Sequence, residues 1–431
     1  MSQMWTNWSG SVQAHPSERH RPTNEEELAA CVTRAKKLRV AGAGHSFTPL
    51  CETTGSLLDL SGMPSEVSIE PDGETAWVPG GLSIKKLTRE LWQRGYSLAN
   101  QGDVNPQSIA GALATGTHGT GAELGSLSTL ARAFKLMLAD GTVVQCSERE
   151  KPDLFQAARL SLGLIAIVLS VRIAVMPAYR LEERTFKVAM RELPTRFADL
   201  AQTHRHVEFF VFPYADHAIV KTLHPTTDPR PAKPPAAWDE PIFKLTCDVS
   251  ARWPGATRRA QRTLMRLVTP GHRAGPAYEI FPTERNVRFE EMEYEVPRAA
   301  GFAALQEAIE LIRKRSLNVT FPFEFRWVAG DDIWLSPFNR GPCASISLHQ
   351  YSKLPYREPF QAIEPVFAAH GGRPHWGKRH NLVARELSAL YPGVEDFMRV
   401  RELVDPSGKL ANSYLLGLFD PQTSRTKATH A

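Results

Sequence analysis

Residues 38–49, Leu-Arg-Val-Ala-Gly-Ala-Gly-His-Ser-Phe-Thr-Pro, join a short apolar run to a glycine turn with a histidine at its tip. Gly42 and Gly44 allow the backbone to approach an anionic ligand closely and to point several N–H groups at it. His45 then lies where that ligand would be. A second loop of similar composition, Ala114-Thr-Gly-Thr-His-Gly-Thr-Gly121, follows further along the chain. Together the two loops predict a large cofactor held by loop backbone, with an imidazole within reach of it.

The bulk composition bounds the kinds of protein that this chain can be. A length of 431 residues predicts two or three domains, and 42% hydrophobic with 23% charged residues is typical of a globular protein with a sizeable core. The net charge is only +5, and no run of five like charges occurs. We therefore expect no nucleic-acid partner, whereas a basic pocket for an anionic cofactor agrees with the same numbers.

The cysteines and the apolar segments indicate the compartment. Five scattered cysteines without C-x-x-C spacing argue against a disulfide framework or a structural zinc site and favour a reducing environment. The first ten residues, MSQMWTNWSG, do not resemble a secretory signal. The most apolar stretch, 160–176, is interrupted by Gly163 and Arg172 and is typical of a buried strand. A cytoplasmic location is expected, with peripheral membrane association kept as an alternative.

The first part of the chain, up to a boundary near Pro177, is expected to alternate short strands with short helices. Thr23 and Glu26 have capping-box spacing and predict an amphipathic helix to about Lys37. Pro106 fits the first turn of a short helix through Ala114. The remaining elements expected here are strands at 38–41, 57–60, 76–78 and 164–175, helices at 83–94 and 152–162, and a hairpin at 134–146 turning at Asp140-Gly141.

After residue 180 the pattern changes to longer strands interleaved with helices, which favours an α+β domain on a mostly antiparallel sheet. A proline-rich stretch at 225–241 is expected to be an exposed connection. The predicted strands are 207–214, 218–223, 321–328 and 343–351, and the predicted helices are 256–268, 299–315 and 358–370.

Two of these strands carry polar side chains at alternate positions. A period of two places Glu324 and Arg326 on one face of 321–328. The opposite face would be core, with Phe321, Phe323, Phe325 and Trp327. If the strand 343–351 pairs with it, a polar wall results, to which that strand adds Ser345, Ser347, His349 and Tyr351. Such a wall suits a polyhydroxylated ligand, and the alternative is a solvated sheet face with a surface ion pair.

Residues 373–380, Arg-Pro-His-Trp-Gly-Lys-Arg-His, concentrate cations, histidines and a tryptophan. Such a cluster is usually a surface loop, but as part of a site Lys378 would stabilise an oxyanion or lower the pKa of a substrate hydroxyl. No metal is expected, because His375 and His380 lack a carboxylate or cysteine to complete a set. The turn at 42–47 also has neither the third glycine of a dinucleotide fingerprint nor the Gly-Lys-Ser/Thr of a Walker loop.

Four blocks of this sequence, in order along nearly the whole chain, resemble one family. The blocks Ala41-Gly-Ala-Gly-His-Ser-Phe47 and Gln107-Ser-Ile-Ala-Gly-Ala-Leu-Ala-Thr-Gly-Thr-His-Gly-Thr-Gly121 are similar to the flavin loops of the aldonolactone and alditol oxidases, in the vanillyl-alcohol-oxidase group. Glu324-Phe-Arg326 and His375-Trp-Gly-Lys378 resemble their substrate-site motifs. Further segments look more like the sugar-lactone oxidases of the gulonolactone and arabinonolactone type: 101–108, 208–214 and 349–351.

The resemblance implies a two-domain α+β fold. A PCMH-type FAD-binding domain of two α+β subdomains would span 1–178, a cap domain with a mostly antiparallel sheet would span 179–400, and 401–431 would return to the FAD domain. The flavin would be joined covalently to His45. Ala166 stands where family members often have glycine, so its methyl group is expected to narrow the space for the adenylate arm of FAD.

The resemblance also assigns residues to the site. The expected catalytic residues are Glu324, Arg326, Lys378, Ser108 and His349, with Arg326 and Lys378 stabilising a developing alkoxide. The expected cofactor-binding residues are Ala41, Gly42, Ala43, Gly44, His45, Ser46, Gln101, Gly102, Asp103, Ser108, Gly111, Thr115, Gly116, Thr117, His118, Gly119, Ile167 and His375.

The implied reaction is oxidation of a sugar 1,4-lactone at C2 by hydride transfer to flavin N5, with O2 reduced to hydrogen peroxide and an ascorbate-like product. Three alternatives stay open: oxidation of an alditol such as xylitol or sorbitol, a dehydrogenase that uses another electron acceptor, and a non-catalytic flavin- or carbohydrate-binding protein. The exact sugar and the oligomeric state do not follow from these motifs.

Overall fold

The computed structural model describes residues 4–229 and 240–419. Most of the proline-rich connection expected at 225–241 lies outside the described residues. Among the helices that are described, none combines the length and the apolar character needed to cross a bilayer.

The first unit consists of small sheets with helices packed between them. Its strands are β1 (Trp5–Thr6), β2 (Gln13–Ala14), β3 (Glu18–His20), β4 (Leu38–Val40), β5 (Ser56–Leu58), β6 (Ser68–Ile69), β7 (Thr75–Pro79), β8 (Tyr96–Ser97), β9 (Ala131–Met137), β10 (Val143–Ser147), β11 (Ile167–Ala174) and β12 (Met176–Pro177). Its helices are α1 (Glu25–Arg34), α2 (Ile84–Gln93), α3 (Ile109–Thr115) and α4 (Pro152–Arg159). A parallel sheet has the order β3-β5-β4, and an antiparallel sheet has the order β10-β9-β11-β7-β6.

Two helices begin at residues whose side chains cap them, and both starts differ slightly from the predicted ones. Helix α1 forms as predicted, but its N-cap is Asn24, whose side chain accepts from the Glu27 N–H at 2.8 Å, whereas Thr23 donates to the Glu27 carboxylate. The short helix expected from Pro106 begins later, because Ser108 caps α3 by accepting from the Gly111 N–H at 3.3 Å. Both displacements are small, since several adjacent residues could each supply the capping oxygen.

The second unit is built on one antiparallel eight-stranded sheet. Its strands are β13 (Arg180–Ala189), β14 (His206–Val211), β15 (His217–Pro225), β16 (Gly271–Pro276), β17 (Phe289–Pro297), β18 (Phe323–Val328), β19 (Cys343–Tyr351) and β20 (Arg373–Pro374), in the spatial order β16-β13-β15-β14-β18-β19-β17-β20. Its helices are α5 (Leu193–Thr203), α6 (Glu240–Arg252), α7 (Thr257–Leu267), α8 (Ala277–Ile280), α9 (Gly301–Arg315) and α10 (Arg357–Ala369). Helices α9 and α10 pack together on the apolar face of the sheet.

The last described helices return to the first unit. These are α11 (Ala384–Leu390), α12 (Val394–Val404) and α13 (Ser413–Phe419). Leu387 and Phe397 belong to the same buried cluster as Phe134 of β9 and Val171 of β11. Trp376 is fully buried in that cluster as well. The division at 178 and 400 stays a prediction, while the packing joins the chain from about Trp376 onward to the core of the first unit.

The aromatic face expected for 321–328 is only partly correct. Phe323 and Phe325 are fully buried against α9, and Trp327 lies at the edge of the same core. Phe321 precedes β18 and lies in a different cluster, with its ring centroid 4.7 Å from that of Phe243 and 5.4 Å from that of Phe289. Tyr351 belongs to this second cluster and donates to Asp248, so it is not part of the polar wall. The alternation of side chains between the two faces holds only within a strand, so it does not predict the position of Phe321, which precedes β18.

Candidate functional site

The loop after β4 presents a row of unpaired backbone donors. Ala41 N–H still bonds Leu58, but the next five amides, 42–46, donate to no acceptor among the described residues. The loop is fixed from behind by other groups: the Trp8 N–H donates to the Gly44 carbonyl at 2.8 Å. Gly44 has φ of +70°, and a Cβ there would meet Trp5 at 3.1 Å, so only glycine suits this position. A row of amides without partners along the wall of a cavity suits an anionic or carbonyl-bearing ligand.

The second glycine loop lies directly against the first. A Cβ on Gly42 would lie 2.7 Å from Ser108 Oγ, so the backbone of the first loop packs against the Ser108 side chain with room for no more than a hydrogen atom. Between them is a cavity of about 390 Å³, which we call the loop cavity. Its predicted lining residues are Ala41, Gly42, Ala43, Gly44, His45, Ser46, Ser108, Gly111, Thr115 and Ile167, and Ala166 also lines it.

Arg39 is a lining residue of the loop cavity that the sequence analysis missed. Its guanidinium is buried and donates to four carbonyls: Leu50 and Leu162 at 2.7 Å, Gly163 at 2.8 Å, and Leu410. Burial lowers its pKa to about 10, and no carboxylate among the described residues pairs with it. The only signal in the sequence was a cation inside an otherwise apolar strand, Leu38-Arg39-Val40. A buried, uncompensated cation favours an anion in the adjoining space.

His45 lies at the junction of the loop cavity and a second cavity. Its ring stacks on Trp8 with centroids 5.4 Å apart and an interplanar angle of 25°. Burial, and secondly the charge of Lys378, lower the pKa of His45 to about 4. The imidazole is therefore neutral near pH 7, and neither ring nitrogen has a hydrogen-bond partner within the described chain. A neutral, unpartnered nitrogen is the nucleophilic form of histidine.

The second cavity, of about 90 Å³, lies under the large sheet, and we call it the polar cavity. The predicted residues that line it are His45, Ser46, Gly102, Asp103, Thr115, Thr117, His118, Glu324, Arg326, His349, His375 and Lys378. Of these only His45, Ser46 and Thr115 also line the loop cavity. Ser108 lines the loop cavity alone, so the structure separates it from the other expected catalytic residues. Gln101, Gly116 and Gly119 line neither cavity.

The roof of the polar cavity is one face of the sheet, with its side chains in cross-strand rows. Strands β18 and β19 pair as expected, so Glu324 lies opposite Ser347 and Arg326 opposite Ser345. The neighbouring strand β17 adds three glutamates that the sequence analysis missed: Glu291 opposite His349, Glu293 opposite Ser347 and Glu295 opposite Ser345. Directly opposed residues project from the same face of a sheet. Glu324 and Arg326 are 5% and 8% exposed, so the solvated-face alternative is wrong.

Glu293 is the centre of a buried charge network. Its carboxylate accepts from His118 Nε2 and from Arg326 Nη2, each at 2.8 Å, and from the Ser347 hydroxyl. Burial alone would raise the pKa of Glu293, but Arg326 and His118 bring it well below its usual range. Burial and Arg326 lower the pKa of His118, but Glu295 and Glu293 outweigh them and raise it to about 9. His118 is therefore a cation at neutral pH.

Lys378 and His349 share a second carboxylate, Glu291. The Lys378 ammonium contacts the Glu291 carboxylate, and His349 Nε2 lies 3.4 Å from it. Burial raises the pKa of Glu291, but Lys378 and then His349 lower it to about 2. Lys378 and Arg326 are thus held in place by carboxylates that stay ionised.

Two buried polar atoms in the roof are left without a hydrogen bond. Glu324 Oε1 and Arg326 Nε lie 3.5 Å apart, and neither has a hydrogen-bond partner among the described residues. Both line the polar cavity. A buried acceptor beside a buried donor matches a hydroxyl group that both accepts and donates.

The segment 373–380 is not a surface loop, because residues 373–377 are buried and 378–380 are partly buried. Arg373, His375 and Trp376 are at most 4% exposed, and Trp376 Nε1 donates to the Leu335 carbonyl at 2.6 Å. His375 Nδ1 accepts from the Gly377 N–H at 3.0 Å, and burial lowers the pKa of His375 to about 3. Anchoring Trp376 in the core brings Lys378 under the sheet.

The expected absence of a metal stays a prediction, but its premise needs correction. His375 lies with His118 and Glu293 within 4.8 Å, so a carboxylate from β17 does accompany it. His380 instead lies beside the Tyr414 hydroxyl at 3.0 Å. The Glu293 carboxylate is already bonded to His118, Arg326 and Ser347, which fits an ion-pair network better than a set of free ligands.

Comparison with solved structures supports the expected two-unit α+β fold. A cholesterol oxidase from B. sterolicum superposes with a TM-score of 0.83 over 97% of both chains, at 16% sequence identity. This likeness confirms the fold, a unit of small sheets and helices beside a unit built on a mostly antiparallel sheet.

Residues 16–147 match the model of an FAD-binding domain, which confirms the expected cofactor. The chemistry of the loop cavity fits FAD, because five unpaired amides and the uncompensated charge of Arg39 suit a diphosphate.

Residues 171–417 match the D-arabinono-1,4-lactone oxidase family. An L-gulono-1,4-lactone dehydrogenase of Mycobacterium tuberculosis is 37% identical, over 98% of this chain and all of the relative. An alditol oxidase of a Streptomyces species is 31% identical over 97% of this chain and all of that relative, and the L-gulonolactone oxidase of Bos taurus is 29% identical over 96% and 97%. Since one family model spans more than half of the residues, the chain belongs to the D-arabinono-1,4-lactone oxidase family of FAD-linked oxidoreductases.

Proposed function

We propose that the protein oxidises a sugar-derived 1,4-lactone of the D-arabinono or L-gulono type at C2. The observation that carries this proposal is that two buried atoms in the roof of the polar cavity, Glu324 Oε1 and Arg326 Nε, have no hydrogen bond and only the ion pair that they form with each other. A carbon-bound hydroxyl gives both of them a hydrogen bond, while a purely apolar ligand would leave both without one, at a cost of about 1–3 kcal/mol each.

FAD, held in the loop cavity, supplies the hydride acceptor. The substrate carbon loses its hydrogen with two electrons, and its hydroxyl loses a proton as the C=O bond forms. Arg326 and Lys378 stabilise the negative charge that develops on this oxygen. Because Glu293 and Glu291 are ionised and bonded to these cations, the positive charges are positioned before the substrate arrives.

The other expected residues divide between the two cavities. Glu324 and His349 contact substrate hydroxyls, since both line the polar cavity. Ser108 was expected on both the substrate and the cofactor side, and its place in the lining of the loop cavity supports the cofactor role. His45 has a neutral, unpartnered ring at the junction of the cavities, which supports a covalent bond from it to the flavin.

The final electron acceptor distinguishes two versions of this function. Dioxygen, giving hydrogen peroxide, is the acceptor that we propose. A dehydrogenase with another acceptor is the second candidate, because a relative of 37% identity carries that name. Alditols are the alternative substrates, since another relative is named an alditol oxidase.

One experiment tests these points together. The yellow holoenzyme is mixed anaerobically with D-arabinono-1,4-lactone, L-gulono-1,4-lactone, xylitol and sorbitol, and bleaching of the flavin absorbance is recorded. Oxygen uptake and dye reduction are then measured with each bleaching compound. Bleaching by the lactones with stoichiometric peroxide supports the proposal. Flavin that no lactone bleaches contradicts it, and dye reduction without oxygen uptake replaces the oxidase by the dehydrogenase.

A further inference from the structure

A third cavity, of about 610 Å³, adjoins the polar cavity. We call it the aromatic cavity, because its lining includes the four rings of Phe210, Phe243, Phe289 and Phe321. Four residues line both cavities: Arg285, Phe289, Glu324 and His349. The two spaces are therefore neighbours across a wall one side chain thick.

The sheet face that roofs the polar cavity continues into the aromatic cavity. On β14, Glu208 lies opposite Arg326, and two residues further on Phe210 lies opposite Glu324. The face thus changes from charged to aromatic within one step along the strand. A ligand whose hydroxyls contact Glu324 and Arg326 would place its next atoms against Phe210.

Several of the charged groups around the aromatic cavity have protein partners, while Glu324 Oε1 and Arg273 Nε have no hydrogen bond among the described residues. Arg273 donates to the Glu183 carboxylate at 2.7 Å, and Arg285 donates to the Asp103 carboxylate at 3.0 Å. At the rim, the Glu240 carboxylate accepts a hydrogen bond from the Asn286 N–H at 2.8 Å. The cavity therefore offers a ligand a largely apolar surface, with the Glu324 carboxylate at the side that it shares with the polar cavity.

The volumes indicate what kind of ligand uses both spaces. About 90 Å³ admits roughly six to nine water-sized groups, which suits the reacting end of a sugar derivative. The aromatic cavity is several times larger and lies within the usual range for pockets that bind small molecules. Apolar walls favour an aryl or alkyl group there.

We propose that the aromatic cavity is a substrate subsite for an apolar substituent. The preferred substrate class is then a lactone or polyol that carries an aryl or alkyl group on the hydroxyl farthest from the oxidised carbon. This inference rests on the proposed function, because the reacting end is placed beneath Glu324 and Arg326.

The test compares unsubstituted compounds with their benzyl ethers. The probes are D-arabinono-1,4-lactone with its 5-O-benzyl ether, and xylitol with its 1-O-benzyl ether. We expect kcat/KM of the holoenzyme for a benzyl ether to exceed that for its parent roughly tenfold or more, the discrimination typical of an apolar pocket. A ratio at or below one for both pairs overturns the inference.

Variants that fill the aromatic cavity test whether the preference for benzyl ethers depends on that cavity. Thr283→Trp places a large ring in the aromatic cavity from a position that does not line the polar cavity, and Glu284→Trp does so from the exposed rim. Either variant should bring the benzyl-to-parent ratio close to one while kcat/KM for the parent stays within about twofold. Thr33→Trp, on the exposed side of α1, is the matched control and should keep the full ratio. A filling variant that folds and keeps the preference overturns the proposal.

A binding measurement separates this inference from the proposed function. The shift in melting temperature of the holoenzyme is recorded with each parent and each ether, without turnover. If no parent compound is oxidised, the proposed function fails, but a larger shift with the ethers, lost in Thr283→Trp, still supports the subsite. If the parents are oxidised and the ethers give no larger shift, only the subsite fails.

Discussion

Replacing Glu293 by glutamine should change how the stability of the protein depends on pH. The carboxylate of Glu293, with that of Glu295 3.5 Å from the same ring nitrogen, faces His118, and Arg326 and His375 are the neighbouring basic groups. Burial and Arg326 oppose protonation of His118, yet the two glutamates raise its pKa from its usual 6.5 to about 9. The raised pKa corresponds to about 3 kcal/mol of stability.

The sign follows from the direction of the shift. A folded-state pKa above the unfolded value stabilises the folded protein fully below pH 6.5, and this contribution is lost as the pH rises through 9. In Glu293→Gln, His118 and Arg326 lose the carboxylate that hydrogen-bonds to both of them, so the variant should be about 3 kcal/mol less stable at pH 6. The difference from the wild type should narrow towards pH 9, where His118 loses its proton in the wild type as well.

Urea unfolding followed by tryptophan fluorescence measures this effect at pH 6 and at pH 9. With an m-value of about 3 kcal/mol/M, the two midpoints should differ by about 1 M at pH 6 and by clearly less at pH 9. Glu150→Gln, an exposed substitution, is the control and should not change the midpoint at either pH. If the difference in urea midpoint between Glu293→Gln and wild type is the same at pH 6 and at pH 9, the positive charge assigned to His118 is refuted.

Three further substitutions test the site. Lys378→Met should lower kcat by roughly 10²-fold in steady-state assays, because one oxyanion-stabilising cation is lost. The control Lys353→Met, at an exposed position, should leave kcat unchanged. A near-normal kcat in Lys378→Met would remove Lys378 from the mechanism. His45→Ala should yield a folded protein whose flavin separates on acid precipitation, whereas release of flavin from the wild type would disprove the covalent bond. In the His45→Ala background, Arg39→Met should weaken FAD retention about tenfold or more on dialysis, since a buried cation beside a diphosphate contributes about 1.5–3 kcal/mol. Unchanged retention would show that Arg39 serves only to hydrogen-bond backbone carbonyls.

Much of the site could be predicted from short stretches of sequence, because the residues of each motif are neighbours in the chain and their arrangement depends on local backbone geometry. The turn at 42–46 exposes its amides on account of its glycines, and the cation cluster around Lys378 is contiguous in the chain. The period of two in β18 correctly placed Glu324 beside Arg326 on one face, and their pairing with β19 was confirmed. The prediction failed at Phe321, where the strand has not yet begun.

The sequence by itself determined which residues share a face or a loop, since these are short-range consequences of backbone geometry. Only the tertiary structure decided what each face opposes. The alternating glutamates 291, 293 and 295 would suit an exposed strand equally well, and their pairing with β19 is what buries them against His118, Arg326 and Lys378. Arg39 and the aromatic cavity were invisible for the same reason: burial and charge compensation depend on groups brought together from segments far apart in the chain.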